Sequence, residues 1–244
     1  MELSDSRGAA PRFFAVVPAA GVGARMGLSV PKQYMDLCGR TMISRTLDAI
    51  AASPRIAGIA VIVSEGDGWI GEERLPAGCE AVRRGGATRA ETVRNGLAWL
   101  ALESGWGARE DDWVMVHDAA RPFVSADEVG RLEAFALETG EGAILAAPMA
   151  DTVKLTDGKG FVAGTIDRDT LCRAATPQLF RLGALRSALA GDLAGITDEA
   201  SAIERAGGRV GLVMGSGRNF KVTSPADAEL ARALIALREG TARG

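Results

Sequence analysis

The chain has 244 residues, of which 47% are apolar and 24% charged, and its formal net charge is −3. These values suit a globular protein with a sizeable core. They argue against a broad nucleic-acid footprint, which needs a basic excess, but leave room for a local basic pocket that takes a small anion.

No uncharged apolar run reaches the ~18 residues of a membrane span, and the opening "MELSDSRGAAPR" has no signal-peptide apolar core. Cys38, Cys79 and Cys172 show neither zinc nor disulfide spacing and read as reduced thiols. A cytoplasmic location is expected, with no nucleic acid and no membrane as partner.

Residues 1–11 are polar and small and are expected to be disordered. "FFAVVPAA" (Phe13 to Ala20) is a continuous apolar run, as in a strand buried on both faces. "MISRTLDAIAA" (Met42 to Ala52) has helical spacing, and "IAGIAVIVS" (Ile56 to Ser64) is a second buried strand. "EAVRRGG" is a short strand ending in glycines, and Thr88 to Leu102 is an amphipathic helix. "DWVMVHDAARP" is a strand running into a polar loop. In "SADEVGRLEAFALE", Ser125 and Glu128 make a capping box at the head of a helix.

The alternation of strand and helix predicts a parallel sheet with helices on both faces, whose ligands bind at the carboxyl ends of the strands. Residues 143–168 break the pattern with two extended runs about the turn signal "TDGKG", and read as a protruding β-arm. A helix from about Arg181, the strand "RVGLVMG" and a final helix opened by Ser224-Pro225 complete the chain. The expected fold is α/β: a single-domain, Rossmann-like, mostly parallel sheet over residues 12–240, with the arm at about 143–168.

The loop "PAAGVGARMGLSVPKQY" decides the chemistry to look for. A dinucleotide fingerprint needs a third glycine where Met26 stands and an acid about 20 residues on. A Walker loop needs Gly-Lys-Ser/Thr. Neither is present. What remains is a run of small residues, through which backbone N–H groups can approach phosphate oxygens, followed by two cations, Arg25 and Lys32. Fixed cations suit the charge that grows on a phosphate during displacement.

In "VHDAARPF", Asp118 at a strand end is a candidate ligand for Mg²⁺, and Arg121 for a phosphate. His117, the only histidine, points by strand alternation to the face opposite Asp118 and reads as structural. Thr152, Lys154, Arg168, Thr176, Thr197, Lys221 and Thr223 are individually ordinary; they matter only if the fold gathers them.

The stretches "PAAGVGARMGLSVPKQY", "GGATRAETV", "VHDAARPF", "DTVK", "TIDR", "TPQLF", "TDEAS" and "FKVTSPAD" together resemble the 2-C-methyl-D-erythritol 4-phosphate cytidylyltransferases of the non-mevalonate isoprenoid pathway. The resemblance implies a nucleotidyltransferase fold. It implies the substrates CTP and 2-C-methyl-D-erythritol 4-phosphate, Mg²⁺ as cofactor, and a homodimer whose arms reach into each other's sites.

By that resemblance Ala19, Ala20, Gly21 and Gly23 wrap the CTP phosphates and sugar, and Gly86, Ala87 and Thr92 meet cytosine and ribose, mainly through backbone. Some relatives have Asp at position 87 and Ser at position 92; Ala87 offers backbone only. Asp118 holds Mg²⁺, with Ala119 beside the ribose. Arg25 and Lys32 stabilise the α-phosphate. Arg168 and Lys221 position the acceptor, with Arg121, Thr152, Thr176 and Thr197 around it.

A ribitol phosphate cytidylyltransferase, a sugar-1-phosphate nucleotidyltransferase and a non-catalytic nucleotide-binding regulator are the competing readings. The chain ends at Gly244, so the fused cyclodiphosphate synthase domain of some relatives is not expected.

Overall fold

The computed structural model describes residues 10–21 and 30–241. Its centre is a seven-stranded sheet. The strands in chain order are β1 (Phe13–Pro18), β2 (Ile56–Val63), β3 (Cys79–Arg83), β4 (Trp113–Val116), β5 (Ala143–Pro148), β8 (Cys172–Arg181) and β9 (Gly211–Met214), and their spatial order is β3-β2-β1-β4-β8-β5-β9. A separate two-stranded hairpin is formed by β6 (Val153–Thr156) and β7 (Val162–Ile166). Every pairing in the large sheet is parallel except those of β8, which runs antiparallel to both β4 and β5.

Side chains alternate across the pleat, so each central strand feeds two cores. Phe13, Ala15 and Val17 enter one with Trp113 and Met115; Phe14 and Val16 enter the other with Val114 and Val116. The first core is closed by α1 (Met42–Ala51) and α3 (Ala126–Thr139), through Ile43, Leu47, Val129 and Leu132. The second is closed by α2 (Arg89–Leu102), α4 (Leu182–Ala188) and α5 (Glu199–Arg205), through Val93, Leu97, Leu185 and Ile203. Helices therefore cover both faces, as the alternating elements require. The last helix, α6 (Pro225–Thr241), packs Ala228, Ala231 and Ile235 on Phe123 and Met42 in a third cluster.

The caps read from sequence form: Ser125 closes a capping box with Glu128. The structure adds a second box, Thr88 with Glu91, at the head of α2. Asp227 Oδ2 accepts the Thr223 and Ser224 amides at the head of α6, and the Ser224 hydroxyl accepts the Asp227 amide.

The arm is shorter than the expected 143–168. Ala143–Pro148 is strand β5 of the main sheet, buried over its first five residues and paired with β8 and β9. Only β6 and β7 leave the body. The apolar run at Ala143 is long enough for a sheet-centre strand, and the polar turn beyond it hides where the sheet stops. β5 leads the chain out and β8 brings it back, with Pro148 opposite Cys172 at the arm's base. That return explains why β8 alone is antiparallel. Arg12 ties the start of β1 to the loop before β4, its amide donating to Asp112 Oδ1 at 2.8 Å. Most of residues 1–11 lie outside the described residues.

Candidate active site

The parallel strands β1, β2, β3 and β4 end on one edge, and their following loops meet there. The loop after β1 is pinned by the Ala19 amide, which donates to Ile62 O at 2.8 Å, and by the Ala19 carbonyl, which accepts from Gln33 Nε2 at 2.7 Å. Gln33 follows Lys32 in a single 3₁₀ turn, Lys32–Tyr34. Tyr34 OH donates to Asp67 Oδ2 at 2.8 Å in the loop after β2. Lys32 thus opens a turn fastened at two points, against β1 and against β2. Burial, and then Asp67, push the Tyr34 phenol far above its ordinary range, so it stays a donor.

The loop after β3 closes on the same edge. A Cβ at Gly85 would stand 2.5 Å from Ala20 Cβ, so only glycine lets these two loops touch. The Gly86 amide donates to Thr92 Oγ1 at 3.1 Å, and that hydroxyl donates to Thr88 O at 2.9 Å. The Ala87 amide donates to Glu91 Oε2 at 2.7 Å. Thr92 is buried, and its hydroxyl shapes the Gly86 turn.

Asp118, just past β4, is the centre of charge. Its Oδ1 lies 2.9 Å from Arg89 Nε and its Oδ2 lies 2.9 Å from Lys221 Nζ; Arg121 Nε is 3.6 Å from Oδ2. Burial alone would raise this carboxyl, but Arg89 and Lys221 outweigh it and hold it well below the usual carboxylate range. Arg89 reaches on to Glu199 with both terminal nitrogens, at 2.7 and 3.0 Å. Burial opposes the Arg89 charge; Glu199 and then Asp118 more than compensate and raise it. Burial likewise pushes Glu199 up, against the pull of Arg89.

The Asp118 amide donates to Thr176 Oγ1 at 3.0 Å. His117 lies fully buried beside it, its Nδ1 3.1 Å from that hydroxyl and its Nε2 3.0 Å from Arg121 O. A carbonyl only accepts, so Nε2 carries the proton and Nδ1 accepts from Thr176. Burial lowers His117 to about 4, which keeps the ring neutral. His117 is thereby engaged on both nitrogens in holding the loop.

Two cavities flank Asp118. One of about 310 Å³ is bordered by Arg121, Arg173, Asn219 and Lys221. The other, of about 450 Å³, is bordered by Thr88, Arg89, Arg94 and Thr197. Among the described residues no group of three or more His, Cys, Asp or Glu could cage a metal. A single deprotonated carboxylate fits Mg²⁺, which takes one or two protein carboxylates and completes its shell with phosphates and water.

The family described as 2-C-methyl-D-erythritol 4-phosphate cytidylyltransferase matches residues 13–237. This chain belongs to that family. It is 47% identical to the Dechloromonas aromatica member, over 94% of this chain and all of that protein, and 48% identical to the Pseudomonas aeruginosa member, over 89% and 93%. A solved 4-diphosphocytidyl-2C-methyl-D-erythritol synthase matches with TM-score 0.80 at 38% identity, over 93% of this chain and all of that one. The Thermus thermophilus cytidylyltransferase matches with TM-score 0.71 at 30% identity, over 91% and 98%. The chain is accordingly a nucleotidyltransferase.

For this cytidylyltransferase the fold gathers Ala19, Ala20, Gly21, Lys32, Gly86, Ala87, Thr92, Asp118, Ala119, Arg121, Thr176 and Lys221 on the carboxyl edge. Gly23 and Arg25 lie outside the described residues. Thr197 stands exposed at the mouth of the second cavity, its amide donating to Ser201 Oγ at 3.1 Å. Thr152 and Arg168 are on the arm side, and Arg168 donates to Ala150 O at 2.7 Å. Among the described residues no hydrogen bond or ion pair joins Thr152 or Arg168 to the Asp118 cluster.

Sequence reasoning missed Arg89 and Glu199. A signal was there: Arg89 is the first residue of its helix, where the dipole disfavours a cation unless carboxylates compensate.

Proposed function

We propose that the chain runs its family's reaction on this edge of the sheet. The acceptor phosphate of 2-C-methyl-D-erythritol 4-phosphate attacks the α-phosphorus of CTP. The bond from that phosphorus to the bridging oxygen breaks, and pyrophosphate leaves with the electron pair. The product is 4-diphosphocytidyl-2-C-methyl-D-erythritol, an isoprenoid precursor. The observation that carries this reading is the Asp118 carboxylate set between Arg89 and Lys221, with Arg121 beside it, just past β4, the parallel neighbour of the strand β1 that leads into Ala19, Ala20 and Gly21.

The attacking phosphate is already an anion near neutral pH. It needs no general base, which agrees with a His117 that is buried and doubly engaged. The task is to bring two polyanions together. Ala19, Ala20 and Gly21, with Gly23, take the triphosphate along the backbone; Gly86 and Ala87, held by Thr92 and Glu91, face the base, and Ala119 the ribose. Lys32 and Arg25 meet the charge that builds on the α-phosphate. Lys221, Arg121, Thr176 and Thr197 orient the acceptor. Mg²⁺ held by Asp118, when bound, would neutralise phosphate charge and keep the reacting groups in line.

The same reading makes the enzyme a homodimer with exchanged arms. Phe161 on the arm is 73% exposed, next to exposed Val162 and Leu155, an apolar surface suited to a second copy. Thr152 and Arg168, apart from their own subunit's cluster, then serve the neighbour's site. An equal mixture of Asp118→Asn and Arg168→Ala subunits should recover about a quarter of wild-type activity after exchange, because half the dimers carry one intact site. No recovery from a mixture that has exchanged would remove the arm from the partner's site. A cytoplasmic location completes the reading and suits three free thiols.

Pyrophosphate release tests the reaction. It should require CTP, 2-C-methyl-D-erythritol 4-phosphate and Mg²⁺ together. Faster release with ribitol 5-phosphate, with UTP or with dTTP would overturn the substrate assignment.

A further inference from the structure

Asp118 is held unequally on its two oxygens. Lys221 approaches Oδ2 with one ammonium on a side chain 38% exposed. Arg89 approaches Oδ1 through Nε, and its other two nitrogens are locked on Glu199, whose carboxylate is only 2% exposed. A residue with three hydrogen bonds and a buried anchor stays where it is. One with a single contact on a flexible stem can leave.

We infer that Arg89, anchored by Glu199, is the residue that aims Asp118: it fixes Oδ1 and leaves Oδ2 as the oxygen offered to a divalent cation carried by the nucleotide. The inference rests on Asp118 being the carboxylate that holds that cation. Arg89 touches neither substrate nor cation in this scheme; it acts through Asp118 and is a positioning residue.

The planar fork is what the role requires. One edge of the guanidinium faces Asp118 while the other grips Glu199 in parallel hydrogen bonds, so the angle between the two carboxylates is set by a rigid plane. Lysine keeps the charge and loses the plane. The anchor also crosses the structure. Arg89 begins α2, Glu199 begins α5, and Asp118 follows β4, so one side chain ties three loops of the carboxyl edge. Asp118 is held from its other side by the Thr176 hydroxyl on its amide.

Charge and aim predict opposite results. If Arg89 mattered only as a cation near Asp118, removing or blurring it would leave divalent-cation affinity unchanged or higher. If it aims the carboxylate, the charge-preserving change must weaken that affinity. Mn²⁺ titrated into the CTP complex and followed by electron paramagnetic resonance reads this directly, with CTP affinity measured separately in EDTA.

Arg89→Lys should lose at least about 10-fold in Mn²⁺ affinity, the range for a group that orients a metal ligand, with metal-free CTP affinity within about 2-fold of wild type. Should Arg89→Lys melt at much lower temperature than wild type, Glu199→Asp, which keeps the charge of the anchor and shortens its reach to the fork, is read in its place. It should show a several-fold loss in the same assay.

Mn²⁺ affinity unchanged in the folded variant, or lost in step with metal-free CTP affinity, would overturn the positioning role alone. Wild type and Asp118→Asn binding Mn²⁺ equally in the CTP complex would overturn both this role and the assignment of Asp118.

Discussion

The Thr176 hydroxyl lies 3.1 Å from His117 Nδ1, and through it the loop after β4 is joined to the antiparallel strand β8. The same hydroxyl accepts the Asp118 amide, so the imidazole, the threonine and the Asp118 backbone share one hydrogen-bond chain. That chain holds only while the imidazole is neutral. Protonated Nδ1 would face the hydroxyl as a second donor, and the Thr176 proton would lose its acceptor.

Burial holds His117 at about 4 in the folded chain against 6.5 for a free ring. Between these values the unfolded chain binds the extra proton, so stability falls as pH drops through 6.5 and the loss is complete below 4. The gap corresponds to about 3 kcal/mol. Denaturant unfolding at a series of pH values should show this slope in wild type and lose most of it in His117→Gln. An identical slope in both would assign the acid sensitivity to other groups.

Lys32 begins a turn that Gln33 and Tyr34 fasten to β1 and β2. In the proposed reaction its ammonium meets the α-phosphate from a turn that is already in place. Lys32→Ala should lower kcat by roughly 10²- to 10³-fold, the usual loss for such a group. Single-turnover kinetics with saturating CTP checks it, and a near-normal rate would remove Lys32 from the role.

Gly85 leaves no room for a side chain beside Ala20 and the Ser64 backbone. Gly85→Ala should therefore part the loops after β1 and β3, costing about 1–3 kcal/mol of stability as an overpacking change. It should also raise KM for CTP more than KM for the acceptor. Calorimetry and steady-state kinetics read the two effects, and unchanged CTP binding would show that the loops need not touch.

Arg168→Ala should chiefly raise KM for the polyol phosphate and spare CTP affinity. Arg168→Lys should recover the defect only in part, because an ammonium lacks the two-pronged match to phosphate. Equal losses for both substrates would show that Arg168 is not an acceptor residue. CTP affinity is measured by equilibrium titration and the acceptor KM by pyrophosphate release.

Periodicity, caps and loop chemistry are local properties, and by themselves they determined the alternation of strands and helices, the capping box at Ser125, and the small-residue loop followed by Lys32. The motifs carried the family. What the sequence left open was set by distance through space. The run from Ala143 reads as extended in either setting; only its pairing with β8 and β9 makes it sheet rather than arm. The direction of β8 follows from the arm that precedes it, because an apolar strand has the same pattern in both directions.

Arg89, Asp118, Glu199 and Lys221 stand far apart in the chain, and each is of a type that normally faces water. The sheet brings the ends of β4, α2 and α5 and the segment before α6 to one edge. Partial burial there makes an arginine, a lysine and two carboxylates satisfy one another. That mutual requirement exists only in the folded chain, and so only the tertiary structure could assign Arg89 a role.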